Sequence, residues 1–442
     1  HYNLQYPQFF ELFKKFLLLK YGLREKESLV EQNKLQFKTK FTYENFITEI
    51  DALNLASEGW ELYVLKPIAN SKKINLLEAA YNFYILTKLG WDIKKIQLVT
   101  VNSKYLYKEQ IFVNDYFVVH EITDKVLNLS KKLEENLHQI IEYLNYKESE
   151  THKLPKCKSL KECRNIKFCY GIESPQILEL REIGSLLGDL VSKKIFSFEE
   201  IPPTTELSKV QKIQIESTLE NREYINQDEI NYFIKRLSYP IYFLDFETIN
   251  PVVPLYENSK PFEHIPFLFC LFIQRESNAE VEEICYVEDF QSDPRKKILE
   301  ILSQTISKEG SIVCYNDLIE KGCLRNASEI YSEYKEWFHS IQDRFFDISL
   351  VFKNLHYYHP KQKGRASLKS ILEPLTGLNY EDLEIKEGEM ANLEFLRMKI
   401  AKEISLEEKQ KTLNQILLYC KRDAWALVKI LERLKGFTHK LD

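Results

Sequence analysis

Polar and apolar residues alternate in short stretches over positions 37–123, and the period lengthens to that of a helix once within them. The alternating pieces 40–51, 61–66, 96–101 and 116–122 predict strands and the run 76–89 predicts a helix, so this part reads as an α/β module. A second helix is predicted over 130–147. From 176 to about 226 the chain turns polar and carries Ile201-Pro202-Pro203-Thr204, the composition of a connector. Beyond 239, strands at 241–247, 267–273 and 284–287 with short connections precede a helix at 294–307, a strand at 311–315 and several helices. That order predicts a mixed sheet flanked by helices. The expected organisation is therefore two α/β modules, 1–175 and 237–442, joined by a helical and polar connector, 176–236.

Composition narrows the class. With 44% hydrophobic residues among 442, the chain can bury a sizeable core, which excludes disordered and fibrous proteins. Sixty-one Lys and Arg stand against 66 Asp and Glu, a net charge of −5, so no overall positive field marks a polyanion partner. Any nucleic-acid contact must rest on local patches. No apolar run approaches the roughly 18 residues of a membrane span, and no membrane partner is expected. Eight Cys are too sparse for a disulfide scaffold and favour a reducing, cytoplasmic setting. The chain opens on His1 rather than Met, without a basic-then-apolar leader, which leaves room for a natural N-terminal segment before it.

Candidate chemistry concentrates in the C-terminal half. In Tyr242-Phe243-Leu244-Asp245-Phe246-Glu247-Thr248 the period of a strand sends Asp245 and Glu247 to one face. Two like charges so close repel unless a divalent cation sits between them; a wet strand end is the alternative for an isolated pair. Near the C-terminus, Leu413, Cys420, Leu427 and Leu434 form one apolar row of a helix, and Ile416 and Ile430 an adjacent one. Asp423 takes the middle slot of that second row. A carboxylate aimed at a core is costly unless paired or coordinated, so Asp423 asks for a cation or for a nearby Lys or Arg. Tyr419 lies one turn earlier on the same side. Between these motifs, a buried strand ends in Tyr315-Asn316 and runs into a helix bearing Asp317 and Glu320.

Strand D-x-E, strand-end Asn with an acid, and helix Y-x-x-x-D occur in the order used by the DEDD exonucleases, whose Tyr-bearing subgroup this half resembles, and the strand order is that of the ribonuclease-H-like architecture. The likeness extends through His264-Ile265-Pro266-Phe267, Asp293-Pro294, Gly310-Ser311-Ile312-Val313-Cys314-Tyr315-Asn316, Tyr358-His359-Pro360, Ser367-Leu368-Lys369 and Leu418-Tyr419-Cys420-Lys421-Arg422-Asp423. Over nearly its whole length the chain resembles an uncharacterised prokaryotic family that joins a RecB-like, PD-(D/E)XK-type nuclease module to a DEDD, DnaQ-like exonuclease module. In that family the middle motif reads Tyr-Asn-x-x-Phe-Glu, which places its acid on Glu320, with Ile319 replacing the Phe. The resemblance implies two-metal phosphodiester hydrolysis at the 3′ ends of DNA or RNA strands. Asp245, Glu247, Glu320 and Asp423 would hold two Mg²⁺ or Mn²⁺ about 3.5–4 Å apart, and Tyr419 would orient the attacking water. Hard oxygen donors of this kind disfavour zinc. Arg365 and Lys369, in a stretch that also carries Lys361 and Lys363, are the expected phosphate contacts, together with Asn316. Asp347 is expected either to support the site or to cap a helix.

RecB-like nucleases use an Asp, then Glu-x-Lys on the next strand. Asp51 and Lys66 fill two of those places, but Val64 stands in the Glu slot and Asn82 in a usual Gln slot. The first module therefore reads as a degenerate, inactive nuclease fold, with Glu61 the one remaining acid on that strand. Cys157, Cys163 and Cys169 match the distal three cysteines of the iron–sulfur clamp in many such modules, yet no Cys precedes them here. With His152 they would make a Cys₃His zinc site, and small thiols packing a loop are the third reading. Lys156, Lys158, Lys161, Arg164 and Lys167 make that region basic. The competing functional expectation is a non-catalytic nucleic-acid-binding or assembly protein built from decayed nuclease folds; nothing in the residues names a protein partner.

Overall fold

Two five-stranded mixed sheets organise this α/β chain, whose computed structural model describes residues 2–23, 34–145, 171–172, 175–288, 290, 292–401 and 403–438. It divides into two units: His1–Ser149 with Asn250–Glu263, and Glu150–Ile249 with His264–Asp442.

In the first unit, β1 (Leu35–Tyr43), β2 (Phe46–Ala56), β3 (Gly59–Leu65), β4 (Ile93–Val101) and β5 (Phe117–Glu121) lie side by side in chain order. All neighbours are antiparallel except β3 and β4. The stretch 40–51, expected as one strand, is folded back between Tyr43 and Phe46, where Glu44 takes a φ of +52°. Helix α1 (Tyr2–Lys20) lays Phe9, Phe10, Phe13 and Leu17 against Tyr63, Leu65 and Val99 on one face of the sheet. Helices α2 (Lys73–Lys88) and α4 (Thr123–Asn145), with the short α3 (Val113–Tyr116) between them in the chain, complete the unit. Ala79 and Leu86 of α2 and Val126 of α4 pack on Leu53, Leu62, Val64 and Leu98 of the other face. The burial on both faces stabilises the sheet by roughly 1.5–3 kcal/mol for each large apolar side chain.

The segment Asn250–Glu263 belongs to this first unit, although its place in the chain predicts the C-terminal module. Its polar backbone explains why. Gln5 donates to Val253 O (2.8 Å) and accepts from the backbone N–H of Val252 (2.8 Å), while Tyr116 donates to Val252 O (2.9 Å). Buried amides need such partners, and α1 and α3 supply them.

In the second unit, β7 (Ile241–Ile249), β8 (Ile265–Gln274), β9 (Val281–Val287), β10 (Ser311–Cys314) and β11 (Phe345–Asp347) form a sheet in the order β11-β10-β7-β8-β9. Strand β8 is antiparallel to both its neighbours, β7 and β9, whereas β10 runs parallel to both β7 and β11. Tyr242, Leu244 and Phe246 enter the core beneath helices Pro294–Thr305 and Leu318–Ile330, with Ile298, Leu302 and Leu324 as neighbours. The odd positions Asp245 and Glu247 therefore face the other side, where the long helix Leu406–Lys435 crosses the sheet.

The connector 176–236 belongs to the second unit and has a small core of its own around Ile177, Leu180, Leu187 and Leu190. Strand β6 (Tyr224–Ile225) pairs with β12 (Tyr357–Tyr358). The Arg181 guanidinium donates to the carbonyls of Phe352 (2.9 Å), Gly364 (2.8 Å) and Arg365 (3.2 Å). Gly364 has a φ of +71°, and a Cβ there would sit 1.8 Å from Glu179 O, so only glycine lets the two backbones approach.

Candidate metal centre

The two acids of β7 sit in a strand that is otherwise largely apolar. Their neighbours bury, so the backbone is fixed and the carboxylates are held on one face. The long helix brings Tyr419, Cys420 and Asp423 over that face. Its N-cap, Ser405, accepts from Glu408 N–H (3.1 Å), and the acidic first turn suits the helix dipole. Glu320 arrives from beside β7, in the first turn of the helix that follows the neighbouring strand β10.

Among the described residues, Asp245, Glu247 and Cys420 offer donor atoms all within 4.8 Å of one another. Cys420 Sγ lies 3.3 Å from Asp245 Oδ2. Glu320 and Asp423 stand outside that closest trio, yet both are buried and near enough for their charges to act on Asp245 and Glu247. Burial, then the charges of Asp423, Glu247 and Glu320, hold the Asp245 carboxyl well above the usual range; burial, Asp423 and Glu320 do the same to Glu247. Burial raises Glu320 to about 8. Asp423 is pushed up to about 6 by burial, against hydrogen bonds from Tyr380 and Tyr419 that favour its ionised form. None of Asp245, Glu247 and Glu320 has an ion-pair partner among the described residues, and Glu320 Oε2 is buried without a hydrogen-bond partner. Between the two acids considered for the middle motif, Glu320 is the buried one; Asp317 is partly exposed at the start of its helix.

Around this core lies an open cavity of about 590 Å³ whose lining includes Arg365, Lys369, Gly388, Tyr419 and Asp423. Lys369 Nζ sits 5.5 Å from the Tyr380 ring and 5.4 Å from the Tyr419 ring, and it donates to Lys386 O. Asn316 takes a φ of +67° at the turn after β10, and its N–H donates to Asp347 Oδ1 (2.8 Å). The same oxygen accepts from Ser349 N–H (2.9 Å), so Asp347 fastens that turn and starts the next helix.

Three groups here escaped the sequence reading. Tyr380 donates to Asp423 Oδ1, and its ring lies 5.8 Å from that of Tyr419. Cys420 falls in an apolar row of its helix and reads there as one more core position. Gly388 begins the helix Gly388–Ile400, where a Cβ would lie 3.8 Å from both Glu247 Oε2 and Tyr419 Oη. The apolar rows and the Tyr-x-x-x-Asp spacing mark the long helix, and nothing local marks Tyr380 or Gly388.

The acids of the first unit are arranged differently. Asp51 accepts from Lys38 Nζ (2.8 Å), Tyr6 Oη (3.2 Å) and Leu65 N–H (2.8 Å). Burial works against the Lys38 charge, but Asp51 and Tyr6 hold its pKa above the ordinary value. Lys66 pairs with Glu78 (2.6 Å), Val64 is fully buried in the core, and Asn82 accepts from Thr48 (2.6 Å). Glu61 accepts from Tyr63 (3.0 Å) and from Tyr21. Cys157, Cys163, Cys169 and His152 lie outside the described residues.

Residues 242–367 match the family described as a domain of unknown function (DUF2779). The chain is 22% identical to the uncharacterised protein MG366 of Mycoplasma genitalium, across its full length and 73% of that protein. It is 24% identical to the MG366 homologue of Mycoplasma pneumoniae over 45% of the chain and 32% of that protein. No solved structure matches. Among the described residues, no helix is long and apolar enough to cross a membrane.

Proposed function

We propose that the second unit is a metal-dependent nuclease, a 3′–5′ exonuclease of the Tyr-bearing DEDD type on a ribonuclease-H-like sheet. On the same reading, the first unit is a RecB-like fold whose site has decayed. The observation that carries this is the buried acid cluster: Asp245, Glu247, Glu320 and Asp423 converge without a basic ion-pair partner on the first three, and one carboxylate oxygen, Glu320 Oε2, is left without a hydrogen bond. Such a group costs several kcal/mol unless a counter-charge is present, and a divalent cation fits the gap. Oxygen donors of this number suit Mg²⁺ or Mn²⁺. The strand order of the second sheet, three antiparallel strands followed by two parallel ones on the far side of the first, supports the ribonuclease-H-like assignment.

The residues would divide the work as follows. Asp245, Glu247, Glu320 and Asp423 would hold the cations, whose chemistry is to lower the pKa of a water and to stabilise the charge on the leaving oxygen. Tyr419, kept protonated by burial and then by the charge of Asp423, offers a phenol hydroxyl to orient the incoming water. Tyr380 holds Asp423 in place through its hydrogen bond. Arg365 and Lys369 stand at the cavity to meet phosphate oxygens. Gly388 keeps the approach to Glu247 and Tyr419 open, since any larger side chain would grow from 3.8 Å into that space.

The test is direct. End-labelled single strands of DNA and RNA are expected to shorten from the 3′ end with Mn²⁺, and Asp245→Ala to stop it. Strands left intact under several metals, while binding persists, would instead support the non-catalytic nucleic-acid-binding reading.

A further inference from the structure

The acid cluster holds one donor that is not an oxygen. Cys420 is completely buried, and its Sγ lies 3.3 Å from Asp245 Oδ2 and 3.5 Å from Asp245 O. As a mere core thiol it would need only to fill space. Its position matches something more specific: the donor atoms of Asp245, Glu247 and Cys420 fall within 4.8 Å of each other. Around a tetrahedral zinc ion, with Zn–S about 2.3 Å and Zn–O about 2.0 Å, adjacent sulfur and oxygen ligands stand about 3.5 Å apart. The observed 3.3 Å is close to that edge. Magnesium gains little from a thiolate, whereas zinc and cobalt bind one strongly. A second observation comes from another element: Glu320 Oε2 is buried without a partner, and the charge of Glu320 acts on both Asp245 and Glu247.

We propose that Asp245, Glu247 and Cys420 form a Zn²⁺ site with a thiolate ligand, overlapping the Mg²⁺ or Mn²⁺ site, so that zinc competes with the hard cations for the same carboxylates. This rests on the reading of the acid cluster as a cation site. Binding is a proton exchange: the Cys420 S–H bond breaks, the proton leaves to solvent, and the sulfur lone pair forms the bond to zinc. Nothing is oxidised or reduced. The consequence is a site whose occupant depends on which divalent ion is abundant, with the hard ions bound through oxygen alone.

Cobalt(II) reports the ligand, because a bound thiolate gives a near-ultraviolet charge-transfer band that carboxylates do not. The full chain, stripped of metal, is titrated with Co²⁺ as wild type, Cys420→Ser, Cys420→Ala and Asp245→Asn. The wild-type spectrum minus that of Cys420→Ser isolates this thiol from all others, and the band is expected in that difference and lost again in Asp245→Asn. Competition titrations are expected to show Zn²⁺ affinity falling at least about tenfold in both Cys420 variants, with Mn²⁺ affinity little changed. An empty difference spectrum and equal zinc affinities, with Mn²⁺ still bound, would overturn the thiolate ligand and leave the carboxylate site standing. Failure of the wild type to bind Mn²⁺, Co²⁺ or Zn²⁺ in any way sensitive to Asp245→Asn would remove both. If both Cys420 variants lose their fold, the presence or absence of an Asp245-dependent cobalt band decides.

Discussion

Asp51 and Asp245 occupy comparable places, each on a strand inside a five-stranded mixed sheet, and their surroundings solve the problem of a buried carboxylate in opposite ways. Asp51 is satisfied by its own chain: a lysine, a phenol and a backbone amide occupy its oxygens. Asp245 is surrounded by further acids and a thiol. The first arrangement is complete and needs no ligand. The second is a set of like charges, relieved by protons, as the raised carboxyl pKa values record, or by a cation. An acidic residue at a motif position therefore says little until its partner is known; at Asp51 that partner is Lys38.

This contrast can be broken or sharpened by experiment. The largest effect is expected from Asp245→Ala, which should lower strand shortening about 10³-fold, the equivalent of losing several kcal/mol of charge stabilisation, while Asp51→Ala leaves the rate unchanged; equal losses would erase the distinction. Next comes pH. Glu320 at about 8 and Asp423 at about 6 lie above their ordinary values of 4.5 and 3.8, so in metal-free protein their contribution to stability is complete in acid. It is lost as pH rises from about 4 to about 8. Thermal melts without metal should therefore fall across that range, and Mn²⁺ should flatten the slope. A flat metal-free profile would mean that the acids are already neutralised. Lys38→Met comes third: it strands Asp51 and should cost about 1–3 kcal/mol in urea unfolding, with Asp51→Asn on the same background restoring part of it. The smallest effect belongs to Tyr380→Phe, which frees Asp423 and should weaken Mn²⁺ binding about tenfold without unfolding the chain.

The backbone plan of the second unit was legible because its strands are bounded and regular. Asp245 and Glu247 stood out by their period, and Asp423 by interrupting an apolar row. Local patterning does not show which acid meets further acids and which a lysine. Lys38 and Tyr6 reach Asp51 from β1 and α1, elements that propensity does not place together. The helix Tyr2–Lys20 was missed although Phe9, Phe13 and Phe16 follow helical spacing. Residues 250–263 were assigned by chain position, whereas Gln5 and Tyr116 recruit them to the first unit. The connector reads as polar from its charged residues and its Pro202-Pro203 turn, yet the apolar side chains spaced between them, from Ile177 to Ile215, gather into a small core.

Arg181 gives that connector a practical meaning. A fragment made to isolate the second sheet by starting at residue 237 would discard the guanidinium that gathers the carbonyls of Phe352, Lys353, Gly364 and Arg365, along with the strand that pairs with Tyr357 and Tyr358. The stretch bearing Arg365 would then lose its anchor, and the recombinant piece would fray at the rim of the cavity. Expression designs should keep the chain from Pro175 onward.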